Sequence, residues 1–66
     1  MLRGLTDMNK FLKFNELFDK AEEYFKKEAY TISLDFIDSA FLIDIYLPTK
    51  RLYAAYMLRV DIRISM

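Results

Sequence analysis

The fold class depends on residues 30–47, YTISLDFIDSAFLIDIYL, because the spacing of the apolar residues changes at this point of the chain. Over residues 30–36 apolar and polar side chains alternate, which predicts a half-buried strand. Asp38 and Ser39 are residue types that favour a turn, so we expect one between the two strands. Apolar residues at every odd position of 41–47 predict the inward face of a second strand, and Pro48 ends it because proline has no amide hydrogen for a central ladder.

Upstream of this segment, from about Asp7 to Glu28, apolar residues recur every three or four positions. This spacing places them on one face of a helix, while lysine and glutamate fill the rest of its circumference. The apolar face comprises Phe11, Phe14, Leu17, Phe18, Ala21, Tyr24 and Phe25. The pattern predicts an amphipathic helix that packs on the sheet, preceded by a flexible lead-in at residues 1–6.

Downstream of Pro48, alternation becomes clear from about Met57 and predicts a third strand, with Leu58, Val60, Ile62 and Ile64 facing inward. Residues 49–56 fit either a continuation of this strand or a short helical turn that begins after the proline, and we favour the long strand. The predicted fold is therefore α+β, one N-terminal amphipathic helix packed on a three-stranded antiparallel β-meander in the order α-β-β-β. It forms one domain over residues 1–66.

Composition argues against catalysis. The chain has 66 residues, no cysteine, no histidine and one glycine. The common thiolate nucleophile, the common general base and a glycine-rich phosphate loop are therefore missing, so we expect no enzyme activity and no cofactor. Asp35, Asp38 and Asp44 are close in sequence, but we expect them on the wet face and in the turn of the sheet instead of around a metal ion.

The apolar content predicts self-association. Hydrophobic residues make up 55% of a chain that has neither disulfides nor zinc ligand sets to stabilise it. Basic residues outnumber acidic ones over 48–66, whereas residues 28–47 carry only acidic ones, so two copies could pair through opposite charges. We expect a homodimer formed through the free edge of the last strand.

No run of residues is long and apolar enough to cross a bilayer, and the N-terminus lacks the apolar stretch of a signal peptide. The sequence therefore predicts a soluble, cytoplasmic protein without a membrane partner.

Arginine, tyrosine and methionine, which are enriched at protein interfaces, concentrate in the last third of the chain. The candidate protein-binding residues are Tyr46, Arg51, Tyr53, Tyr56, Met57, Arg59, Asp61 and Arg63. We predict a non-enzymatic protein-binding module, a small homodimeric inhibitor or adaptor of viral or mobile-element type with an unidentified protein as its target. The alternative is a nucleic-acid-binding module that uses the basic and aromatic segment 50–59.

Overall fold

A computed structural model describes the backbone of residues 2–43 and 45–66 and the side chains of residues 8–43 and 45–66. Over these residues the chain forms three helices, α1 (Leu2–Lys26), α2 (Tyr30–Phe41) and α3 (Thr49–Ser65), and no strand. The predicted α+β fold with its antiparallel β-meander is therefore wrong. The described chain is all-helical.

The predicted N-terminal helix is confirmed as α1, although it begins at Leu2 instead of Asp7. Phe14, Phe18 and Ala21, all on the predicted apolar face, are buried. The opposite face is wet and carries short ion pairs such as that between the Lys27 Nζ and a Glu23 carboxylate oxygen, 3.1 Å apart. The side chains of residues 1–7 lie outside the described range, and the flexible lead-in stays a prediction.

A tight turn reverses the chain between α1 and α2. Glu28 adopts a left-handed conformation with φ 62°. Its amide donates to the Phe25 carbonyl (3.0 Å), and the Ala29 amide donates to the Tyr24 carbonyl (2.9 Å). This Schellman arrangement satisfies carbonyls that the end of α1 leaves free, and α2 starts at once, antiparallel to α1.

Helix α2 replaces the first predicted strand and the turn at 38–39. Ser33, Ile37 and Ala40 are buried at steps of four and three, whereas Ile32, which the strand would have buried, is 47% exposed. The segment contains no glycine or proline to interrupt a helix. Its short apolar run fits both periods, and packing against α1 favours the helix over the strand propensity of its residues.

The second predicted strand is also absent, since α2 ends at Phe41 and residues 45–48 have no regular secondary structure. Ile43 and Leu47 nevertheless pack against the core, as their inward assignment implied. Asp44, predicted on the outer face of that strand, lies outside the described residues.

Helix α3 replaces the third predicted strand, and the long strand over 49–56 is wrong with it. Pro48 precedes the helix, and its carbonyl accepts the Leu52 amide at 3.0 Å. A proline is tolerated at such a start because the first amides of a helix have no intrahelical acceptor. The alternative of a short helical turn after Pro48 correctly predicted helical structure there, but the helix is much longer than one turn and continues to Ser65.

The helices run up, down and up, with α2 packed on both of its neighbours while α1 and α3 touch little. Arg51 at the start of α3 lies near Phe11 of α1, and Met66 after its end lines a groove with residues 28–32. The buried apolar core is small, and its members come from all three helices: Phe14, Phe18, Ala21, Ile37, Ala40, Ala55, Leu58 and Ile62. The Ser33 hydroxyl is buried among them and donates to the Ala21 carbonyl at 2.5 Å.

Candidate functional site

Helix α3 carries apolar side chains on two opposite faces. Its inner face is buried against the other helices through Ala55, Leu58 and Ile62. The outer face carries four exposed apolar residues at steps of four, three and four: Tyr53, Met57, Val60 and Ile64. At about 100° per residue these four form a narrow stripe directly opposite the inner face. We call them the α3 outer stripe.

The exposure of the α3 outer stripe is substantial. Tyr53 is 66% exposed, Met57 42%, Val60 46% and Ile64 77%. Steps of four and three are the spacing of a coiled-coil seam, in which such residues insert between side chains of a second helix. A helix that is apolar on both sides is normally buried on both sides. The described chain covers only the inner face.

Polar and aromatic residues border the α3 outer stripe. By helical geometry Tyr56 and Arg63 lie along one border, whereas Lys50 and Asp61 lie along the other. The Tyr56 ring stacks on the Phe41 ring of α2, with 4.8 Å between centroids, and is still 50% exposed. One side of this tyrosine is therefore fixed by α2 while the other faces solvent.

Arg59 points away from the stripe and toward α2. Its guanidinium lies 5.1 Å from the Phe41 ring centroid, and its Nε is 3.6 Å from a carboxylate oxygen of Asp38. Together with the stacked Tyr56, these contacts hold α3 on α2 over its middle turns. The stripe is therefore presented by a supported helix, which suits a surface that docks with little loss of conformational entropy.

Two further predicted site residues lie apart from the stripe. The Arg51 guanidinium packs 5.7 Å from the Phe11 ring centroid on α1. Tyr46 is 97% exposed but belongs to the connection between α2 and α3. Of the eight predicted residues, the structure thus brings five to one surface: Tyr53, Tyr56, Met57, Asp61 and Arg63.

Val60 and Ile64 are not among the predicted binding residues, because the alternating pattern placed them on the buried face of a strand. Both residues are exposed on α3. The spacing from Tyr53 through Met57 to these two residues was the signal that would have found them, since it follows the period of a helix.

Apart from this surface, the described residues provide few groups that could catalyse a reaction or bind a metal ion. Asp35 and Asp38 lie on α2, and among the described side chains, those of residues 8–43 and 45–66, no group of three or more acidic, histidine or cysteine residues could hold a metal ion. None of the three helices, as far as they are described, has the length and apolarity needed to cross a bilayer.

Over the described residues, the fold and this surface define a small three-helix protein whose last helix has an apolar face that none of the described side chains covers. Comparison with known protein families, curated proteins and solved structures finds no match to this chain.

Proposed function

We propose that this chain is a non-catalytic protein-binding module, an inhibitor or adaptor that works as a homodimer through the α3 outer stripe. The observation that carries the proposal is the row of four exposed apolar residues on the face of α3 opposite the core. Covering this row with the same row of a second copy gives a two-helix seam of coiled-coil type.

A second copy fits this face because pairing the two stripes buries no unpaired charge. The four stripe residues are uncharged, and the charged residues of α3 lie on its borders or face the other helices. A chain with so small a core, without disulfides, also gains most from burying apolar surface between copies. The proposed dimer interface thus adds stability to each chain.

The expected affinity is modest. The stripe and Tyr56 together expose on the order of 500 Å² of side-chain surface per copy, below the roughly 800 Å² per partner of a standard stable interface. We therefore expect a dissociation constant in the micromolar range, with the monomer folded at high dilution.

The geometry favours protein over nucleic acid as the partner. The basic residues of segment 50–59 do not form one patch, because Arg51 packs on α1, Arg59 packs on α2 beside Asp38, and Lys50 lies on a border of the outer face. Phosphate contacts require several cations that point the same way.

Analytical ultracentrifugation tests the proposal over about 1–200 µM, the range that a micromolar constant requires. We expect a monomer–dimer equilibrium that Val60→Glu abolishes while far-UV circular dichroism stays helical, because Val60 is exposed in the monomer. Ile32→Glu is the matched control, since Ile32 is a β-branched residue of similar exposure (47% against 46%) on α2, and it should leave the dimer intact.

A wild-type chain that stays monomeric throughout this range would overturn the proposal, and so would a Val60→Glu variant that dimerises as tightly as wild type. Tight binding of random oligonucleotides that weakens steeply with rising salt would favour the nucleic-acid alternative instead.

A further inference from the structure

We infer that the two α3 helices of the dimer pair antiparallel, related by a two-fold axis that passes between Met57 and Val60. This inference rests on the proposed homodimer and adds its orientation and register. In this arrangement Met57 faces the partner's Val60, and Tyr53 faces the partner's Ile64. All four stripe residues are then covered, and the two surfaces are identical, as a closed two-fold dimer requires.

Side-chain size favours the antiparallel pairing. A parallel pairing in register would oppose Tyr53 to the partner's Tyr53 and Val60 to the partner's Val60. The largest side chains would then pack against each other in one layer and the smallest in another. The antiparallel pairing sets the large Tyr53 against a branched aliphatic residue at each end. Layers of more even volume keep the helices at a constant separation, and evenly filled layers pack without voids.

Charge favours the same orientation. Lys50 lies one heptad before Met57, on the border of the stripe near the start of α3. Parallel helices would place the Lys50 side chains of both copies at the same level of the seam. Antiparallel helices place each Lys50 beside the end of the partner's α3, near Ser65, where the free carbonyls carry partial negative charge.

The border that carries Tyr56 and Arg63 supplies a specific contact. In an antiparallel helix pair each border meets the same border of the partner, so Tyr56 lies beside the partner's Arg63 at two equivalent places. One side of the Tyr56 ring stacks on Phe41, and the residue is still 50% exposed. The solvent-facing side of the ring is therefore available for a cation–π contact with a guanidinium.

Single-cysteine variants test the orientation, because the chain contains no cysteine. In the antiparallel register, Tyr53→Cys mixed with Ile64→Cys should form a disulfide in a glutathione redox buffer, whereas each variant alone should not. Alone, the two copies of residue 64 would be about 16 Å apart along the helices, beyond the reach of a disulfide. Sedimentation first confirms that both variants dimerise at the concentration used.

The outcomes separate the orientation from the dimer itself. Disulfides within each single variant, and none specific to the mixture, indicate parallel helices and overturn the inference while the dimer stands. A dimer without disulfides in any sample overturns the register. A wild-type chain that is monomeric in sedimentation overturns the proposed function instead.

Arg63 gives an independent test of the border contact. Arg63→Ala should weaken dimerisation about 5- to 30-fold, since two exposed cation–π contacts are lost per dimer. Asp61→Ala, on the opposite border, is the matched control and should change the dissociation constant less than about threefold. Equal effects of the two substitutions would contradict the proposed contact.

Discussion

Replacing Glu28 by glycine is expected to stabilise the fold. Glu28 has φ 62°, and the hydrogen bonds that close the end of α1 require this left-handed conformation. A residue with a Cβ atom pays about 1–2 kcal/mol in this region, whereas glycine does not. Glycine in turn loses about 0.5–1 kcal/mol more chain entropy on folding, which leaves a net gain of about 0.5–1 kcal/mol.

This gain corresponds to a rise in Tm of about 2–8 °C for a chain of this size. Urea denaturation followed by circular dichroism measures it directly, as a higher midpoint at an unchanged slope. All variants are compared at one protein concentration, because a dimer that dissociates on unfolding is more stable at higher concentration.

Alanine variants separate the backbone effect from the lost charge. Glycine at position 28 should be more stable than alanine at the same position, since both lack the carboxylate and differ in the Cβ atom. At Glu22, an exposed position inside α1, the order should reverse, with glycine about 1 kcal/mol less stable than alanine. A Glu28→Gly variant that is less stable than Glu28→Ala would refute the left-handed turn.

Three further substitutions probe the core and its border. Ile37→Ala should cost about 2–5 kcal/mol because Ile37 is fully buried, whereas Ile32→Ala at its exposed site should cost less than about 1 kcal/mol in the same urea titration. Ser33→Ala should cost about 1 kcal/mol, the loss of one buried hydrogen bond to α1. Asp38→Asn should cost at most about 1 kcal/mol, because its pair with Arg59 is partly exposed, and the loss should vanish in about 1 M salt.

The α1 helix could be predicted because its sequence satisfies one period only. Its apolar residues recur at three and four, and charged residues occupy nearly all the remaining positions, so no alternating pattern competes. Residues 30–41 differ in this respect. Tyr30, Leu34, Ile37 and Phe41 follow the helical period, while the positions between Tyr30 and Phe36 also alternate. The local pattern cannot distinguish a helix from a strand when the same residues satisfy both periods. Contact with α1 favours the helix.

The error in α3 has the same origin as its candidate surface. A helix with one apolar face leaves polar residues opposite the core, and those residues break any run of alternation. In α3, Val60 and Ile64 stand opposite Ile62, so apolar side chains appear at every second position and imitate a strand. The residues that imitate the strand are therefore those that the helix leaves uncovered. An apolar alternation that is found on a helix thus indicates two buried faces, and the face that its own chain does not cover is where a partner is expected.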